Sequence, residues 1–421
     1  MGCSTGAKEG IEYAARLGVY TIMTDYYPPE RNLLKSLADE YWMIDVSDID
    51  TLESKCRSEG ITGIFASTNE FCLDQTKELC RRLNLPFYAS DEGWAASRDK
   101  LRFKELCRES GLSVPEDYAP DELFEEEKMK EIQYPVIVKP ADSCAQQGLA
   151  LCWNEEELRL GYARALSVSP KKRVLIEEYI LGDELDAFYF ISDGRPILTG
   201  LTDKYFMKVN DRRNASFQPG PSRFYSEYTD KLSDKIEKLF HSMNCRQGNA
   251  FLQVIRRDGE YYFLEMGYRI DGIGTWVNTK PQTGFSNVEL MVDLALGRKP
   301  SYDVTAPDAF RPERQNNATY LFWAKPGQVA EISGLEEVKR MEGVTIVVER
   351  FHEGDVIPKA DSMFQIAYYI GITGENQRDL VRKLTAVNES LHLYDKNGEE
   401  LLTPFQNYDI LSDRWKRGKE I

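Results

Sequence analysis

The sequence predicts a mixed α/β and α+β protein, in which an N-terminal doubly wound parallel sheet precedes a small lobe and a larger lobe. Short β-like runs alternate with helical segments over the first 97 residues, a pattern typical of a doubly wound sheet. Strands and an amphipathic helix follow between residues 134 and 180, and a long β-hairpin spans residues 251–269. At 421 residues the chain exceeds one ordinary core, so several packed units are expected.

We place the boundaries between units where these patterns change. The four predicted units are an N-terminal α/β domain (1–97), a small lobe with a lid (98–180), a larger lobe with the metal site (181–310) and a C-terminal subdomain (311–421). The first unit opens with Gly2-Cys-Ser-Thr-Gly6, which is typical of a strand-to-helix loop although no strand precedes it. We therefore expect either that this strand is missing from the start of the chain or that the sheet is reorganised.

Helices are predicted from apolar residues that recur at helical spacing. One follows the opening loop, and another begins near Lys100 and ends at Gly111, where glycine stops a helix. The acidic residues 121–131 favour a solvated helix face. The remaining predicted helices are Glu155–Leu166, Leu232–Phe240 and Asp379–Leu391.

Composition excludes several classes of function. A formal net charge of −16 disfavours a nucleic-acid partner, because affinity for phosphate backbones comes mainly from clustered Lys and Arg. The chain has no apolar run of about 18 residues and no secretory leader pattern, so we expect no membrane partner. Eight cysteines without a C-x-x-C pair, and only 3 histidines, disfavour a structural zinc site. These features together predict a cytoplasmic protein with reduced thiols.

The register of the 251–269 hairpin decides what its polar residues can do. A two-residue turn at Asp258 and Gly259 would send Gln253 and Glu265 to opposite faces. A three-residue loop starting at Arg257, with Gly259 left-handed, instead places both side chains on one face. We predict the three-residue loop.

On one face, Gln253 and Glu265 would form a metal-phosphate site with Arg269. Mg²⁺ prefers hard oxygen ligands and completes its shell with phosphate, and a guanidinium can clamp a phosphoryl group in transit. The alternative is a half-exposed hairpin edge whose Glu and Arg are merely solvated.

Further candidate residues lie upstream of the hairpin. Lys139 ends an apolar strand, where a lysine requires an anion or a carboxylate, and the loop after it ends in Gly148. The segment Glu177–Ile180 ends another strand, and its backbone could contact an adenine edge. Glu184 follows closely enough for its carboxylate to accept ribose hydroxyl hydrogen bonds.

Candidate substrate-binding residues lie after Arg269 and around Lys204. Gly272 and Gly274 would let backbone amides approach an anionic carboxylate or acyl-phosphate, although a plain glycine turn is an open alternative. Lys204 lies in a basic, turn-rich stretch and is a candidate catalytic cation. For this stretch the alternative is a simple exposed loop.

The ordered set Lys100, Lys139, Glu177 to Glu184, Gln253, Glu265 and Arg269 resembles the ATP-grasp superfamily of carboxylate-amine ligases over most of the chain. The C-terminal portion is similar to that of L-amino acid ligases, and the whole also resembles the carbamoyl phosphate synthetase large subunit. The resemblance implies that ATP is bound by Lys100, Lys139, Ser143, Gly148, Glu177, Glu178, Tyr179, Ile180 and Glu184. It implies that Mg²⁺, or Mn²⁺, is held by Gln253 and Glu265. It also implies that Arg269, Gly272 and Gly274 bind substrate, with Arg269 and Lys204 catalytic.

Two positions depart from the family pattern. The family usually has Glu-x-Asn where this chain has Glu265-Met-Gly267, so an amide ligand is missing and water or another side chain would complete the metal shell. The phosphate loop usually carries Ser and two glycines, whereas Ser143–Gly148 keeps one glycine and has Ala145. Loss of backbone freedom there could stiffen the loop that closes on ATP.

The resemblance implies an ATP-dependent ligase. A small carboxylate would be activated as an acyl-phosphate and coupled to an amine, giving an amide, ADP and phosphate. Its partners would be the small-molecule carboxylate and amine, and a homodimer is an open alternative. The competing functions are an ATP-binding regulatory module with weak or no turnover, and a bicarbonate-using carboxylase or carbamoyl phosphate synthetase-like enzyme.

Overall fold

The structure is a computed structural model that describes residues 1–2, 6–29, 32–118, 126–141, 148–209, 212–272, 274, 279–280, 285–300, 302–303, 316–359 and 363–405. Its helices are α1 Ala7–Arg16, α2 Ile49–Ser58, α3 Glu70–Leu83, α4 Asp91–Arg98, α5 Lys100–Glu109, α6 Glu126–Met129, α7 Glu155–Val168, α8 Tyr225–Ser242, α9 Asn287–Ala295, α10 Leu335–Arg340 and α11 Gln377–Ser390. Short 3-10 helices span Leu33–Ser36 and Met363–Gln365.

The strands up to residue 209 are β1 Ile22–Thr24, β2 Glu40–Trp42, β3 Asp117–Tyr118, β4 Val136–Pro140, β5 Ala150–Cys152, β6 Val174–Glu178, β7 Asp183–Ser192, β8 Arg195–Asp203 and β9 Tyr205–Val209. The later strands are β10 Arg212–Gly220, β11 Gly248–Arg257, β12 Glu260–Gly267, β13 Asn316–Ala324, β14 Gly327–Gln328, β15 Glu331–Ser333, β16 Val344–Glu349, β17 Val356–Ile357, β18 Ile366–Gly374, β19 His392–Tyr394 and β20 Leu402–Thr403. The predicted mixed α/β class is confirmed.

The N-terminal part contains a parallel strand pair, β1 and β2. The amide of Gly2 donates to the Thr24 carbonyl at 3.0 Å, and the amino group of Met1 donates to the Phe65 carbonyl at 2.6 Å. These bonds place the first two residues beside β1. Helix α3 begins at Glu70, and the side chain of Asn69 caps it by accepting a hydrogen bond from the Cys72 amide.

The small lobe is an antiparallel sheet in the order β3-β6-β4-β5, covered by α7. Successive side chains of a strand point to opposite faces of the sheet. Val136 and Val138 of β4 point toward helix α7 and are fully buried, whereas Ile137 between them points to the other face. Helix α5 leads into this lobe. Its first residue is Lys100, and the Asp99 side chain caps it by accepting from two backbone amides.

The larger lobe is built on an antiparallel sheet in the order β12-β11-β7-β8. One face buries apolar side chains such as Leu185, Leu252 and Val254 in a core shared with Leu232 and Ile236 of α8. Side chains alternate between the two faces of a strand, so the residues between these apolar positions lie on the opposite face. That opposite face carries the candidate site.

The predicted three-residue loop of the hairpin is wrong. Arg257 pairs with Glu260, so Asp258 and Gly259 form a two-residue turn with φ of 53° and 83°. Positive φ at both residues matches the right-handed twist of the strands, which favours this turn. The register then shifts beyond Phe263, and this bulge restores Gln253 opposite Glu265. The two side chains share a face as predicted, for a different reason.

A six-stranded sheet occupies the C-terminal part, in the order β16-β18-β13-β10-β9, with β20 paired to β13. Two of its strands, β9 and β10, precede residue 311, the predicted start of the C-terminal subdomain, and the other four follow it. Phe217, Tyr320 and Tyr368 are fully buried in its core. Helix α11 lies against β18. Among the described residues, none of the helices has both the length and the apolar character that a membrane crossing requires.

Gly334 and Gly354 form a matched pair for testing the C-terminal packing. Both have positive φ, 73° and 93°, but a Cβ on Gly334 would overlap the Ser390 carbonyl, whereas one on Gly354 meets open space. Each Gly→Ala change should cost about 1 kcal/mol through the backbone alone. Gly334→Ala should lower the thermal unfolding midpoint clearly further than Gly354→Ala. Equal shifts in the two variants would contradict the close approach of Gly334 to the end of α11.

Candidate active site

A row of polar side chains crosses the sheet of the larger lobe. Gln253 on β11 pairs directly with Glu265 on β12 and with Asp186 on β7, and Asp186 pairs with Thr202 on β8. Directly paired residues project from the same face, so these four side chains are neighbours. The sheet therefore brings the two predicted metal ligands together. It adds Asp186, which the sequence analysis missed because Asp186 lies within an apolar strand.

Lys100 joins the small lobe to this row. Its Nζ lies 3.2 Å from Oε2 of Glu265. Burial acts to raise the pKa of Glu265, but the charges of Lys100, Lys139 and Lys204 outweigh it, so that pKa lies below its usual value. Burial likewise acts to lower the pKa of Lys100, and Glu265 reverses the effect and raises it. Both groups are therefore charged near neutral pH.

Lys139 contacts the carboxylate of Glu177, which is only 1% exposed. Lys104, which is fully buried on α5, contacts the other oxygen of Glu177 at 2.9 Å and also contacts Asp117. Burial acts to raise the pKa of Glu177, but Lys139 and Lys104 outweigh it and lower that pKa. Lys104 was missed by the sequence analysis, since nothing in α5 distinguishes it from a solvated lysine.

The segment predicted to contact adenine is partly engaged inside the protein. The amides of Glu178 and Tyr179 donate to the carbonyls of Glu116 and Pro135, at 2.9 Å and 3.1 Å. The Glu178 side chain accepts from Arg257 at 2.8 Å, and Ile180 is buried. An adenine would therefore contact the remaining backbone groups of this segment.

Lys204 lies in the site rather than in an exposed loop. Its side chain is 11% exposed, its Nζ lies 2.7 Å from Oδ1 of Asp186, and its amide donates to the Glu184 carbonyl at 2.8 Å. Burial acts to lower the pKa of Lys204, but Asp186 and Glu184 outweigh it and raise that pKa. The pKa of Asp186 is raised, because its burial and the nearby Asp271 outweigh Lys204.

Arg269 is held by a carboxylate of the N-terminal part. Its Nη2 and Nε donate to Oε1 of Glu70 at 3.0 Å and 3.3 Å. Burial acts to raise the pKa of Glu70, but Arg269 and Arg98 outweigh it and lower that pKa. Glu70 was missed by the sequence analysis, because it is separated from Arg269 by 199 positions along the chain.

The remaining predicted residues differ in how far the structure describes them. Gly148 and Gly274 have positive φ, 73° and 80°, as expected for turns that favour glycine. A Cβ on Gly272 would meet no atom of the described residues within 4 Å. Ser143 lies outside the described residues.

Glu265 and Gln253 fit a divalent ion of the Mg²⁺ type. They place a carboxylate and an amide oxygen opposite each other, and Mg²⁺ typically takes one or two protein oxygens while phosphates and waters fill the remaining positions. Within the part of the chain that the structure describes, no group of three or more His, Cys, Asp or Glu side chains forms a ready-made metal cage. The donor set thus suits an ion that arrives with a phosphate ligand.

Glu177→Gln should change how stability depends on pH. A carboxyl whose folded pKa is lowered stabilises the fold above its unfolded value, near 4.5, and this contribution is lost as pH falls below that value. The wild-type unfolding midpoint should therefore fall between pH 6 and pH 3 more steeply than that of the variant. At pH 7 the variant should lose on the order of 3 kcal/mol, the usual scale for breaking a buried ion pair.

The matched control is Glu178→Gln, on the next residue, whose carboxylate pairs with Arg257 in a half-buried position. It should cost less at pH 7. Parallel pH profiles for wild type and Glu177→Gln would show that Glu177 is not the compensated buried charge described above.

Two stretches of the chain match families of known protein domains. Residues 99–301 match the family model described as the carbamoyl-phosphate synthase L chain ATP-binding domain, and residues 319–395 match the L-amino acid ligase C-terminal domain 2. A D-alanine–D-alanine ligase of Fusobacterium nucleatum is 28% identical over 212 residues, which cover 50% of this chain and 64% of that protein. The chain therefore spans less than two thirds of that relative.

Two solved structures share the fold. An L-amino acid ligase from Bacillus licheniformis superposes with a TM-score of 0.76 at 19% identity, covering 94% of this chain and 97% of that one. The biotin carboxylase domain of a Hydrogenobacter thermophilus 2-oxoglutarate carboxylase, in complex with MgADP and bicarbonate, also gives 0.76 at 19% identity, covering 98% and 93%. The chain thus contains two recognisable domains: residues 99–301 belong to the ATP-grasp family of ATP-binding domains found in the carbamoyl-phosphate synthase L chain, and residues 319–395 belong to the L-amino acid ligase C-terminal domain 2 family.

Proposed function

We propose that this protein is an ATP-dependent ligase that activates a small carboxylate as an acyl-phosphate and couples it to an amine, giving an amide, ADP and phosphate. The observation that carries the proposal is a set of four cations on and around the Glu265–Gln253 row. Lys100 and Lys204 contact Glu265 and Asp186 of the row, Lys139 acts electrostatically on Glu265, and Arg269 follows shortly after the strand that carries Glu265. These cations are Lys100, Lys139, Lys204 and Arg269, and each is held by a carboxylate.

The chemistry requires positioned charge rather than a nucleophilic side chain. A carboxylate oxygen of the substrate attacks the γ-phosphorus of ATP, and ADP leaves. An amine then attacks the acyl-phosphate carbonyl, loses a proton, and displaces phosphate. Lysine and arginine charges stabilise the transferred phosphoryl group, as in other phosphoryl transfers. A divalent ion held by Glu265 and Gln253 would supply further neutralisation of phosphate charge.

In this proposal the nucleotide lies between the two lobes. Its adenine lies at Glu177–Ile180 and its ribose at Glu184, which is on the same strand face as Asp186. Lys100, Lys139 and the loop ending at Gly148 bind its phosphates. Water must be excluded from the acyl-phosphate, so the small lobe would close over the site. We also propose that the chain divides into the four units predicted from the sequence, with boundaries after residues 97, 180 and 310.

The competing functions differ in what they require. A bicarbonate-using enzyme is represented among the structural neighbours by the biotin carboxylase domain with bound bicarbonate. The match of residues 319–395 to an L-amino acid ligase domain favours an amino-acid-like acid instead. A regulatory module would bind ATP without turnover. Measurement of ADP release with pairs from a panel of amino acids, and separately with bicarbonate, distinguishes the three.

Glu265→Gln should abolish ADP release. The neutral amide supplies less negative charge to a divalent ion and no longer compensates Lys100. The measurement is ADP release from ATP with the amino acid panel. Glu260→Gln, at the exposed start of the same strand, is the control and should keep wild-type turnover. Unchanged turnover of Glu265→Gln would remove the basis for the metal assignment.

Arg269→Lys should bind ATP normally and lose acyl-phosphate formation by roughly 10²-fold, the usual scale for one preorganised electrostatic contact. An ammonium cannot reproduce the planar fork that pairs with a carboxylate. Nucleotide binding by calorimetry and single-turnover phosphate release separate the two steps. Arg246→Lys, on an exposed residue, is the control. Weakened ATP binding with intact turnover would make Arg269 a nucleotide anchor, with Lys204 the next candidate for holding the carboxylate.

A further inference from the structure

Three of the N–H groups of Arg269 are used inside the protein. Nε and Nη2 donate to Glu70, and Nη1 donates to the carbonyl of Ile270 at 3.0 Å. A guanidinium has five N–H groups, so two have no hydrogen-bond partner among the residues that the structure describes, one on each terminal nitrogen. Two such groups on adjacent nitrogens match the two oxygens of a carboxylate.

The same guanidinium lies over an aromatic ring. Its Cζ is 5.1 Å from the ring centre of Phe251, within the range of a cation–π contact. Phe251 pairs across the hairpin with Gly267, and a Cβ on Gly267 would overlap the ring. The glycine at 267 therefore makes room for Phe251, and Phe251 supports Arg269.

Phe251 is buried, with 9% of its surface exposed, but it lies outside the hydrophobic cluster that α8 shares with the larger lobe. It lies on the opposite sheet face, two residues from Gln253, and its ring centre is 6.4 Å from that of Phe188, its partner on β7. Among the described residues, neither phenylalanine belongs to a buried hydrophobic cluster. Both rings lie next to the polar row, where side chains that serve a site would be found.

Glu70 is itself held in place. It is the first residue of α3, and its carboxylate also contacts Arg98, which lies 3.3 Å from Asp74 on the same helix. The N-terminal part therefore supplies a fixed carboxylate to an arginine of the larger lobe. Glu70 takes the Nε side of the guanidinium, so the two N–H groups without a described partner are on its terminal nitrogens.

We propose that Glu70 and Phe251 are positioning residues, which hold Arg269 so that its two remaining N–H groups bind a substrate carboxylate in bidentate fashion. The proposal rests on the proposed function in that this carboxylate is the acyl donor. It assigns a role in the reaction to the N-terminal part, and it gives a reason for the glycine at position 267.

The first test observes Arg269 directly, without turnover. Arginine side-chain nitrogen signals are recorded on labelled full-length protein, and those of Arg269 are assigned with Arg269→Lys. Rotation of the guanidinium should be restricted in wild type and released in Glu70→Gln and Phe251→Leu. Acetate, as the carboxylate probe, should shift the wild-type Arg269 signals, whereas chloride at equal ionic strength should not.

The second test is kinetic. Glu70→Gln keeps the acceptor oxygen but removes its charge, so the KM for the most active amino acid of the panel should rise on the order of tenfold, the scale of a weakened charge-assisted contact. The KM for ATP should not change. Glu78→Gln is the matched control, since Glu78 lies on the same helix as Glu70 but pairs with Arg81 and Arg82 instead. It should leave both KM values at wild-type level.

Failure of the inference is distinguishable from failure of the proposed function. A wild-type protein that releases no ADP but whose Arg269 signals respond to acetate and to Glu70→Gln would contradict the ligase activity alone. Arg269 signals that are equally restricted in wild type, Glu70→Gln and Phe251→Leu would overturn the positioning roles. An unchanged KM for the amino acid in Glu70→Gln would also overturn the positioning roles. The same conclusion would follow if acetate did not perturb the Arg269 signals of the wild-type protein.

Discussion

Charge compensation between poorly solvated side chains is the constraint on which the candidate site depends. Each cation of the site has a carboxylate partner from another strand or helix. The pairs are Lys100 with Glu265, Lys139 with Glu177, Lys204 with Asp186, and Arg269 with Glu70. An uncompensated charge at such positions costs several kcal/mol. Lys100–Glu265 and Arg269–Glu70 join different parts of the protein, so these two pairs also hold those parts in their relative positions.

The same pairs determine what happens when a nucleotide binds. A phosphate that takes Lys100 leaves Glu265 without its direct partner, so a divalent ion on Glu265 would restore the balance. Glu177 would keep a cationic partner, because Lys104 contacts its second carboxylate oxygen. That contact would persist if Lys139 moved to bind a phosphate. Under the proposed function, binding of metal and nucleotide would therefore be thermodynamically coupled at Glu265, while Glu177 would stay compensated throughout.

The sequence predicted those features that depend on local pattern. Helices near the predicted positions, such as α7 and α11, follow from apolar spacing. Arg269 was proposed from the order of the motif residues, and Lys204 from its basic, turn-rich stretch. The shared face of Gln253 and Glu265 was predicted through the wrong turn, because a bulge beyond Phe263 has no signal in the sequence. Asp186, Lys104 and Glu70 could not be predicted: their partners are distant in the chain, and a charged residue within an apolar strand or an ordinary helix carries no mark of its role.

The most direct test of this account follows a labelled oxygen. ATP and the amino acid panel, with oxygen-18 in the carboxyl groups, are incubated with the protein, and the released phosphate is analysed by mass spectrometry. If the carboxylate attacks the γ-phosphorus, one labelled oxygen appears in the phosphate for each amide formed. Phosphate that carries oxygen only from ATP and water would show that the site hydrolyses ATP without activating a carboxylate, and it would contradict the central claim.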